Sequence, residues 1–129
     1  EDALITYKGL NIYFSPWIPP IGGWAFEYPN FNIARNIWNS VPVKTDILVT
    51  HGPPSGVGGL EWADNSYIRG ACGCPILRAR VDIVKPAYHV FGHIHEGYGM
   101  IEKNGTVFVN VSSLKRDYAT INLPVIIEI

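Results

Sequence analysis

The sequence predicts an α/β fold with a parallel β-α-β unit at its centre, and three consecutive segments carry this prediction. Residues 46–50 form a near-continuous apolar run, which is typical of a strand covered on both faces. Residues 75–85 place apolar side chains on one face of a helix, and residues 88–92 form a second apolar run. A strand, a helix and a strand in this order form a right-handed crossover with parallel strands. The carboxyl ends of both strands are therefore expected at the same edge of the sheet.

The composition indicates one soluble globular unit, since 47% of the 129 residues are hydrophobic and 16% are charged. Ten basic and eleven acidic residues leave a net charge of -1, which gives no strong signal for nucleic acid or an anionic membrane. Any affinity for an anionic ligand must therefore come from a local group of side chains. No apolar run approaches the ~20 residues of a membrane span, and no segment has the layout of a signal peptide. We expect a cytoplasmic protein, although a targeting segment before Glu1 is left open because no initiator methionine is present.

The first part of the chain predicts a hairpin, an irregular loop and a helix. Two β-rich runs, Ala3–Tyr7 and Leu10–Ser15, flank a glycine-containing link and favour a hairpin. Residues 16–26 combine prolines and glycines with three aromatic side chains, so they either clamp on the core or wall a pocket. Apolar residues at three- and four-residue steps predict a short helix over 31–38, with Asn30 as its N-cap.

The remaining segments are assigned from turn and helix signals. Residues 55–73 are rich in glycine and predict an irregular loop, and Pro75 opens the central helix. Residues 100–102 and 106–111 form a hairpin around an Asn-Gly turn, and residues 124–129 form a last strand. The central helix also carries polar residues that we expect on solvated faces: Arg78, Arg80 and Asp82.

The two cysteines, Cys72 and Cys74, lie too close in sequence to connect distant segments. Reduced thiols of an intracellular protein are the favoured interpretation. A Cys-x-Cys metal clip is a weaker alternative, because no other cysteine completes it.

Three histidines are expected to meet at the common edge of the sheet. His51 follows the first strand of the β-α-β unit, and His93 and His95 follow the second. In an extended chain, residues i and i+2 lie on the same side, ~6 to 7 Å apart, so that both rings face one pocket. Imidazole is a good ligand for several transition metals. The sequence therefore predicts a metal site at this edge.

The neighbouring residues carry less specific signals. His89 lies inside the second strand and is predicted to be a packed histidine, or one that supports a ligand, rather than a ligand itself. Glu96 either orients a ligating histidine or is an exposed loop carboxylate. Trp17 and Gly52 are further candidates for contact with substrate.

The histidine motifs resemble a known family. Thr50-His51-Gly52-Pro53-Pro54, followed by Gly92-His93-Ile94-His95-Glu96-Gly97-Tyr98-Gly99, resembles the calcineurin-like metallophosphoesterase superfamily. Together with Ser15-Pro16-Trp17 and the run Thr106–Asn110, the motifs are similar to its metallophosphoesterase-domain-containing branch, also called UPF0046, over essentially the whole chain. The resemblance implies a metallophosphoesterase-type β-sandwich flanked by helices, with residues 1–129 as the C-terminal half of a single domain.

The resemblance also implies an activity, the metal-dependent hydrolysis of phosphoesters, above all phosphodiesters of small molecules or nucleotides. Two divalent transition-metal ions (Mn, Fe, Zn, Ni or Co) would serve as cofactors, with His51 and His93 on one ion and His95 on the other. The family draws its other ligands from Asp-x-His, Gly-Asp and Gly-Asn-His-Asp/Glu segments, which do not occur in this sequence. Two ions ~3.5 to 4 Å apart need anionic bridging ligands, which neutral imidazoles do not supply. The isolated chain is therefore expected to be inactive until an N-terminal half completes it.

Two alternatives remain open at this stage. A non-catalytic scaffold of the same fold, as in the retromer-type subunit, would fit a chain without those ligands, although the three retained histidines favour an enzyme. A structural zinc site would need a fourth ligand that the sequence does not identify. In either case no membrane partner is expected, and the first hairpin leaves a sheet edge exposed for self-association.

Overall fold

The computed structural model describes residues 2–65 and 68–129. Six strands form one sheet in the order β1-β2-β3-β6-β8-β7, and the other two form a separate hairpin, β4-β5. In chain order the elements are β1 Ala3–Tyr7, β2 Leu10–Ser15, α1 Phe31–Asn39, β3 Ile47–Thr50, β4 Trp62–Asp64, β5 Arg69–Ala71, α2 Pro75–Val84, β6 Tyr88–Phe91, β7 Gly99–Lys103 and β8 Thr106–Asn110.

The centre of the large sheet is parallel. Strands β2, β3, β6 and β8 run in the same direction, and β1 and β7 flank them as antiparallel edges. The predicted β-α-β unit is confirmed as β3, α2 and β6. Because β2 and β8 are also parallel to this unit, four carboxyl ends lie at one edge of the sheet: Ser15, Thr50, Phe91 and Asn110.

Both helices begin at residues that the sequence marks. The side chain of Asn30 accepts hydrogen bonds from the amides of Asn32 and Ile33, as predicted for the N-cap of α1. The Sγ atom of Cys74 accepts from the Leu77 amide at the start of α2. The helices pack against each other on one face of the sheet. In the described part of the chain, neither helix is long and apolar enough to cross a bilayer.

The core lies between the helices and this face. Tyr13, Leu48 and Phe108 occupy aligned positions on neighbouring strands and are buried against side chains of α1 and α2. His89 belongs to the same row and is fully buried, which confirms the prediction of a packed histidine. The opposite face is also apolar, but Phe14 and Met100 at its margins remain exposed.

The prediction that Arg78, Arg80 and Asp82 of α2 lie on solvated faces is wrong for the two arginines. Arg78 is mostly buried, lies 5.5 Å from the centre of the Phe108 ring and donates to the carbonyl of Gly56 at 3.0 Å. Arg80 donates to the carbonyl of Val41 at 3.1 Å. Only Asp82 is exposed, and it pairs with Arg78 at 3.0 Å. The long arginine stems cover apolar surface while their guanidinium groups bind loop carbonyls.

The loop predicted over residues 55–73 contains the β4-β5 hairpin, so this prediction is also wrong in part. Each of these strands has only three residues, which is too short for an alternation of apolar and polar side chains to be recognised in the sequence. An ion pair of 2.9 Å between Arg69 and Asp64 joins the two strands.

The predicted strand at 124–129 is absent, although all six residues belong to the described part of the chain. Pro124 has no amide hydrogen to give to a neighbouring strand. The hydroxyls of Tyr98 and Tyr88 instead donate to the carbonyls of Leu123 and Glu128, at 2.7 and 3.1 Å. The tail is therefore tethered by side chains and leaves Ile126 exposed.

Candidate functional site

The candidate site is built from loops that leave the four parallel strands at their carboxyl ends. Residues 16–28, called here the aromatic loop, follow β2, and His51 follows β3. His93 and His95 follow β6, and residues 111–118 follow β8. This is the edge at which open α/β sheets bind ligands.

Backbone hydrogen bonds continue the sheet beyond the ends of the strands. The His51 amide donates to the carbonyl of Ser15 at 3.1 Å, and the Gly92 amide donates to the carbonyl of His51 at 3.0 Å. The Val111 amide donates to the carbonyl of Phe91 at 2.7 Å. The first residue of each loop is therefore fixed relative to its neighbour.

His51 and His93 meet at the centre of this edge. The Nε2 atom of His51 lies 3.1 Å from Nδ1 of His93, and the ring centroids are 4.9 Å apart. Burial lowers the pKa of His51. Burial also lowers the pKa of His93, with smaller contributions from the charges of His51 and His95. Both rings are therefore neutral near pH 7, the form in which imidazole binds metals.

The distance between these nitrogen atoms suits a shared metal ion. Two imidazole nitrogens at ~2.0 to 2.1 Å from one ion, with tetrahedral to octahedral angles, lie ~2.9 to 3.4 Å apart. The observed separation of 3.1 Å falls within this range. His51 and His93 can therefore act as two ligands of one divalent ion.

The backbone of His93 adopts an unusual conformation that produces this contact. Its φ angle is +69°, in the left-handed region that few non-glycine residues occupy. Of the described non-glycine residues with positive φ, Lys8 and Asn104 lie in hairpin turns and Lys85 ends α2. The other three belong to loops of this site: Phe26, His93 and Tyr118. Strain of this kind clusters at functional sites.

His95 is turned elsewhere. It begins a short 3-10 turn, His95–Gly97, its ring packs on Tyr118 at 4.5 Å, and its Nδ1 atom lies 3.3 Å from the carbonyl of Lys115. The predicted extended geometry of His93 and His95 is wrong because the chain turns at His93. Among the described residues, no three His, Cys, Asp or Glu side chains are placed to hold a metal ion together. The ligand roles of the three histidines stay predictions.

An open pocket of about 370 Å³ lies beside His95. Positively and negatively charged side chains line this pocket. Arg116 forms an ion pair with Asp64 at 3.3 Å, and Lys115 also lines the pocket. Glu96 also lines the pocket and accepts a hydrogen bond from Asn65 at 3.3 Å. The proposed role of Glu96 as the partner of a histidine stays a prediction.

His89 hydrogen-bonds to the residue before His51, in line with the predicted alternative of a supporting histidine. The Thr50 hydroxyl donates to the carbonyl of Gly52 at 2.7 Å, so it accepts from Nε2 of His89 at 2.9 Å. Burial lowers the pKa of His89 to about 3 and keeps the ring neutral. This chain of bonds fixes the backbone on both sides of His51. Gly52 contributes through its carbonyl.

Asn110, at the end of β8, is a second residue that sequence reasoning missed. It is fully buried, and its amide group donates to the carbonyls of Leu60 and Ile94 at 2.9 and 2.8 Å. Its Oδ1 atom accepts from the Ser112 amide at 2.9 Å. A polar residue at the end of an apolar strand is the only signal in the sequence. Asn110 clamps the segment that carries His93 and His95.

The two tryptophans of the aromatic loop lie in different surroundings. Trp17 packs partly buried against the core and meets Phe26 edge-on at 6.1 Å, as expected for a loop clamped on the core. Trp24 is exposed and meets the ring of His93 edge-on at 6.2 Å. The role of Trp17 toward substrate and the role of the loop as a pocket wall stay predictions.

Comparisons with known proteins identify the relatives of this chain, although no family model matches it. Human metallophosphoesterase domain-containing protein 1 is 40% identical over 129 residues, which are 100% of this chain and 39% of that protein. The Caenorhabditis elegans UPF0046 protein T07D4.2 is 38% identical over 129 residues, 100% of this chain and 32% of that protein. A solved crystal structure shares the fold alone, with a TM-score of 0.54 and 15% identity over 85% of this chain and 44% of that chain.

The curated relatives, which match the whole of this chain, define its class as proteins with a metallophosphoesterase domain. Within that class, the chain belongs to the branch of metallophosphoesterase domain-containing and UPF0046 proteins. It spans 39% and 32% of the lengths of the two relatives described.

Proposed function

We propose that this chain supplies metal ligands to a phosphoesterase that hydrolyses phosphodiesters, including those of nucleotides. One observation carries the proposal: two neutral imidazoles lie 3.1 Å apart at the carboxyl edge of a parallel sheet. The names of the relatives support the class of reaction.

His51 and His93 would hold one divalent ion, and His95 would contribute to a second, both drawn from Mn, Fe, Zn, Ni and Co. When bound, such ions supply a water of lowered pKa and positive charge for the phosphate oxygens. The Nδ1 atom of His95 faces the carbonyl of Lys115, an arrangement that orients a ligating imidazole and leaves Nε2 as the nitrogen that would bind the ion. The side chains of Lys115 and Arg116, near His95, would attract the anionic substrate.

Two ions also need carboxylate bridges to offset their mutual repulsion. We propose that these come from sequence outside the 129 residues, because the relatives extend well beyond the aligned region. The 129-residue chain should then bind little metal and turn over no phosphodiester, whereas the full product of its gene should bind two ions and be active. Metal per chain is measured by mass spectrometry, and turnover with a chromogenic phosphodiester and added manganese.

Substitution of the histidines tests their roles in the full gene product. His51→Ala and His93→Ala should each empty one metal site, and His95→Ala should weaken the other, with activity lowered by orders of magnitude in each case. His89→Ala should affect activity much less, provided that circular dichroism shows a folded variant. Equal losses at positions 89 and 93 with unchanged metal content would contradict the assignment.

A non-catalytic scaffold is the second candidate function. It is favoured by one observation, that no three potential ligands cluster among the described residues. A full gene product that binds two ions but hydrolyses no phosphoester would support the scaffold.

A further inference from the structure

The exposed tryptophan beside His93 has a fixed position that its own packing does not explain. Trp24 is 64% exposed, yet its ring stands at 89° to the ring of His93, with the centroids 6.2 Å apart. Single exposed apolar residues are common and carry no argument alone. The way in which the chain holds Trp24 in place is the second observation.

Glu27 holds the tip of the aromatic loop through its carboxylate. Oε1 accepts hydrogen bonds from the amides of Ile21 and Trp24, both at 2.9 Å, and both oxygens accept from the Gly23 amide at 3.1 Å. These bonds, that of Trp24 first, lower the pKa of Glu27. The carboxylate is therefore ionised at neutral pH and forms charge-assisted hydrogen bonds with three backbone amides at the tip of the loop.

The base of the loop is closed as well. The Ile18 amide donates to the carbonyl of Phe26 at 3.0 Å, and the Tyr28 amide donates to the carbonyl of Ile18 at 3.1 Å. Ile18 and Tyr28 are buried, and Phe26 has a φ angle of +62°. A closed base, a carboxylate at the centre and a strained backbone together make a loop of defined shape.

The loop also lies directly against the segment that carries the histidines. A Cβ atom added at Gly52, the residue after His51, would lie 3.5 Å from Cγ2 of Ile18 at the base of the loop. The tip and the base therefore contact the site at His93 and Gly52, respectively. A group esterified to a phosphate at His51 and His93 would therefore lie within reach of the exposed Trp24 ring.

We propose that the aromatic loop is a substrate-binding wall, in which Glu27 positions Trp24 to stack on an aromatic group of the phosphoester, such as a nucleobase. The location of the phosphate rests on the function proposed above, whereas the stacking of an aromatic group on Trp24 does not require hydrolysis. Trp24 is the residue that contacts substrate, and Glu27 is a positioning residue that acts through it. Stacking of a base on an aromatic ring strengthens binding about 5- to 100-fold.

The test compares two phosphodiesters that differ only in the aromatic group. A nucleoside 2′,3′-cyclic phosphate and the same cyclic ribose phosphate without its base are given to the full gene product with manganese. We expect the base to improve kcat/KM about tenfold, mainly through KM. Trp24→Ala and Glu27→Ala should lower kcat/KM for the substrate with the base by about tenfold more than for the base-free substrate, which abolishes the preference, and Trp24→Phe should restore part of it.

The matched control is Trp62→Ala, which removes a tryptophan of similar exposure, 51%, on β4 outside the aromatic loop. It should leave the preference unchanged. Equal turnover of both substrates by the unsubstituted protein would overturn the inference. So would a loss in Trp24→Ala that is the same for both substrates, because it would indicate a purely structural role.

A failure of the proposed function gives a different result, namely no turnover of either substrate. In that case binding of a nucleoside 5′-monophosphate and of ribose 5-phosphate is measured by calorimetry. Tighter binding of the nucleotide that is lost in Trp24→Ala supports the inference without catalysis. Binding of both probes with equal affinity, or no binding of either, would overturn it.

Discussion

Buried polar side chains near the site bind backbone groups, and each loop position depends on a few of them. Asn110 satisfies two carbonyls and one amide of three different segments. The Thr50 hydroxyl binds the carbonyl of Gly52 next to His51, and the His89 ring in turn binds that hydroxyl. Buried groups of this kind are costly to leave unpaired, so their substitution has effects that can be measured.

Asn110→Ala should destabilise the protein strongly, because the carbonyl of Leu60 loses its donor and the buried amide of Ser112 loses its acceptor, whereas the carbonyl of Ile94 keeps the Ser112 hydroxyl. Each unpaired group costs about 1 to 3 kcal/mol, so we expect the free energy of unfolding to fall by about 2 to 4 kcal/mol. Urea denaturation followed by circular dichroism measures the change. Asn36→Ala, on the exposed face of α1, is the control and should change stability by less than about 0.5 kcal/mol. Equal effects of the two variants would contradict the role of Asn110.

His89 should make stability depend on pH in the acid range. Its pKa in the folded protein is about 3, against about 6.5 in an unfolded chain. Between these values the unfolded chain holds a proton that the folded protein does not, so stability rises with pH. The expected contribution is about 1.4 kcal/mol per pH unit at most, lost as the pH falls below about 6.5.

The contribution of His89 is isolated by difference. His89→Gln removes the titrating ring, so its free energy of unfolding between pH 7 and pH 4.5 should vary less than that of the unsubstituted protein. The other histidines are present in both proteins and cancel. Parallel pH profiles would show that His89 is not held neutral by the fold.

Sequence reasoning reached the pair of histidines but not its geometry. The β-α-β pattern predicted that His51 and His93 come together, because parallel strands end at one edge. It could not predict the left-handed φ of His93, since the backbone conformation of a single residue depends on tertiary contacts. The position of Trp24 beside His93 depends in the same way on tertiary contacts, namely the hydrogen bonds of Glu27, which the sequence pattern does not predict.

At the scale of elements, the predictable parts are those with local signals. The first hairpin, α1, α2 and the last hairpin carry caps, periodicity or turn residues, and the structure confirms all four. The β4-β5 hairpin and the tail over 124–129 lack such signals or carry misleading ones. An apolar run after a proline is typical of a strand, but a strand needs a partner with free backbone groups.

The β4-β5 hairpin is held near the site by a close approach of two backbones. A Cβ atom added at Gly97 would lie 2.1 Å from the carbonyl oxygen of Leu60. Gly97→Ala must therefore separate the turn after His95 from the segment before β4. We expect a loss of at least about 1 to 3 kcal/mol in the free energy of unfolding, measured by urea denaturation.

Gly52→Ala provides the matched control for stability. A Cβ atom at Gly52 would meet Cγ2 of Ile18 at 3.5 Å, an ordinary contact distance, so the substitution should be tolerated. A stable Gly97→Ala variant would mean that the two segments are not in contact in solution.

At the scale of the whole molecule, one sheet edge is left open. Strand β1 is exposed along its full length and pairs only with β2 among the described strands. Its outer backbone groups can pair with a second copy of the chain. The apolar face of the sheet opposite α1 and α2, on which Phe14 is exposed, favours the same association.

Self-association of the 129-residue chain should therefore increase with concentration and weaken when a charge is placed on β1. Ile5, which is 47% exposed, is replaced by lysine because charges at an edge oppose pairing. Ile83→Lys changes a residue of 63% exposure on α2 and is the control. Sedimentation velocity should show oligomers for the unsubstituted chain and Ile83→Lys, and a monomer for Ile5→Lys. A monodisperse monomer at high concentration in the unsubstituted chain would refute this prediction.

The hydrogen bonds that join the first residues of neighbouring loops have a consequence for how such proteins diverge. Ser15, His51 and Gly92 are joined by hydrogen bonds between main-chain atoms, as are Phe91 and Val111, and every residue except proline provides such atoms. Insertions and deletions farther along the loops, after Trp17 or after Ser112, leave these hydrogen bonds and the histidines in place. Descendants of one ancestral chain can thus differ in the loops around this edge while they keep the positions of the histidines.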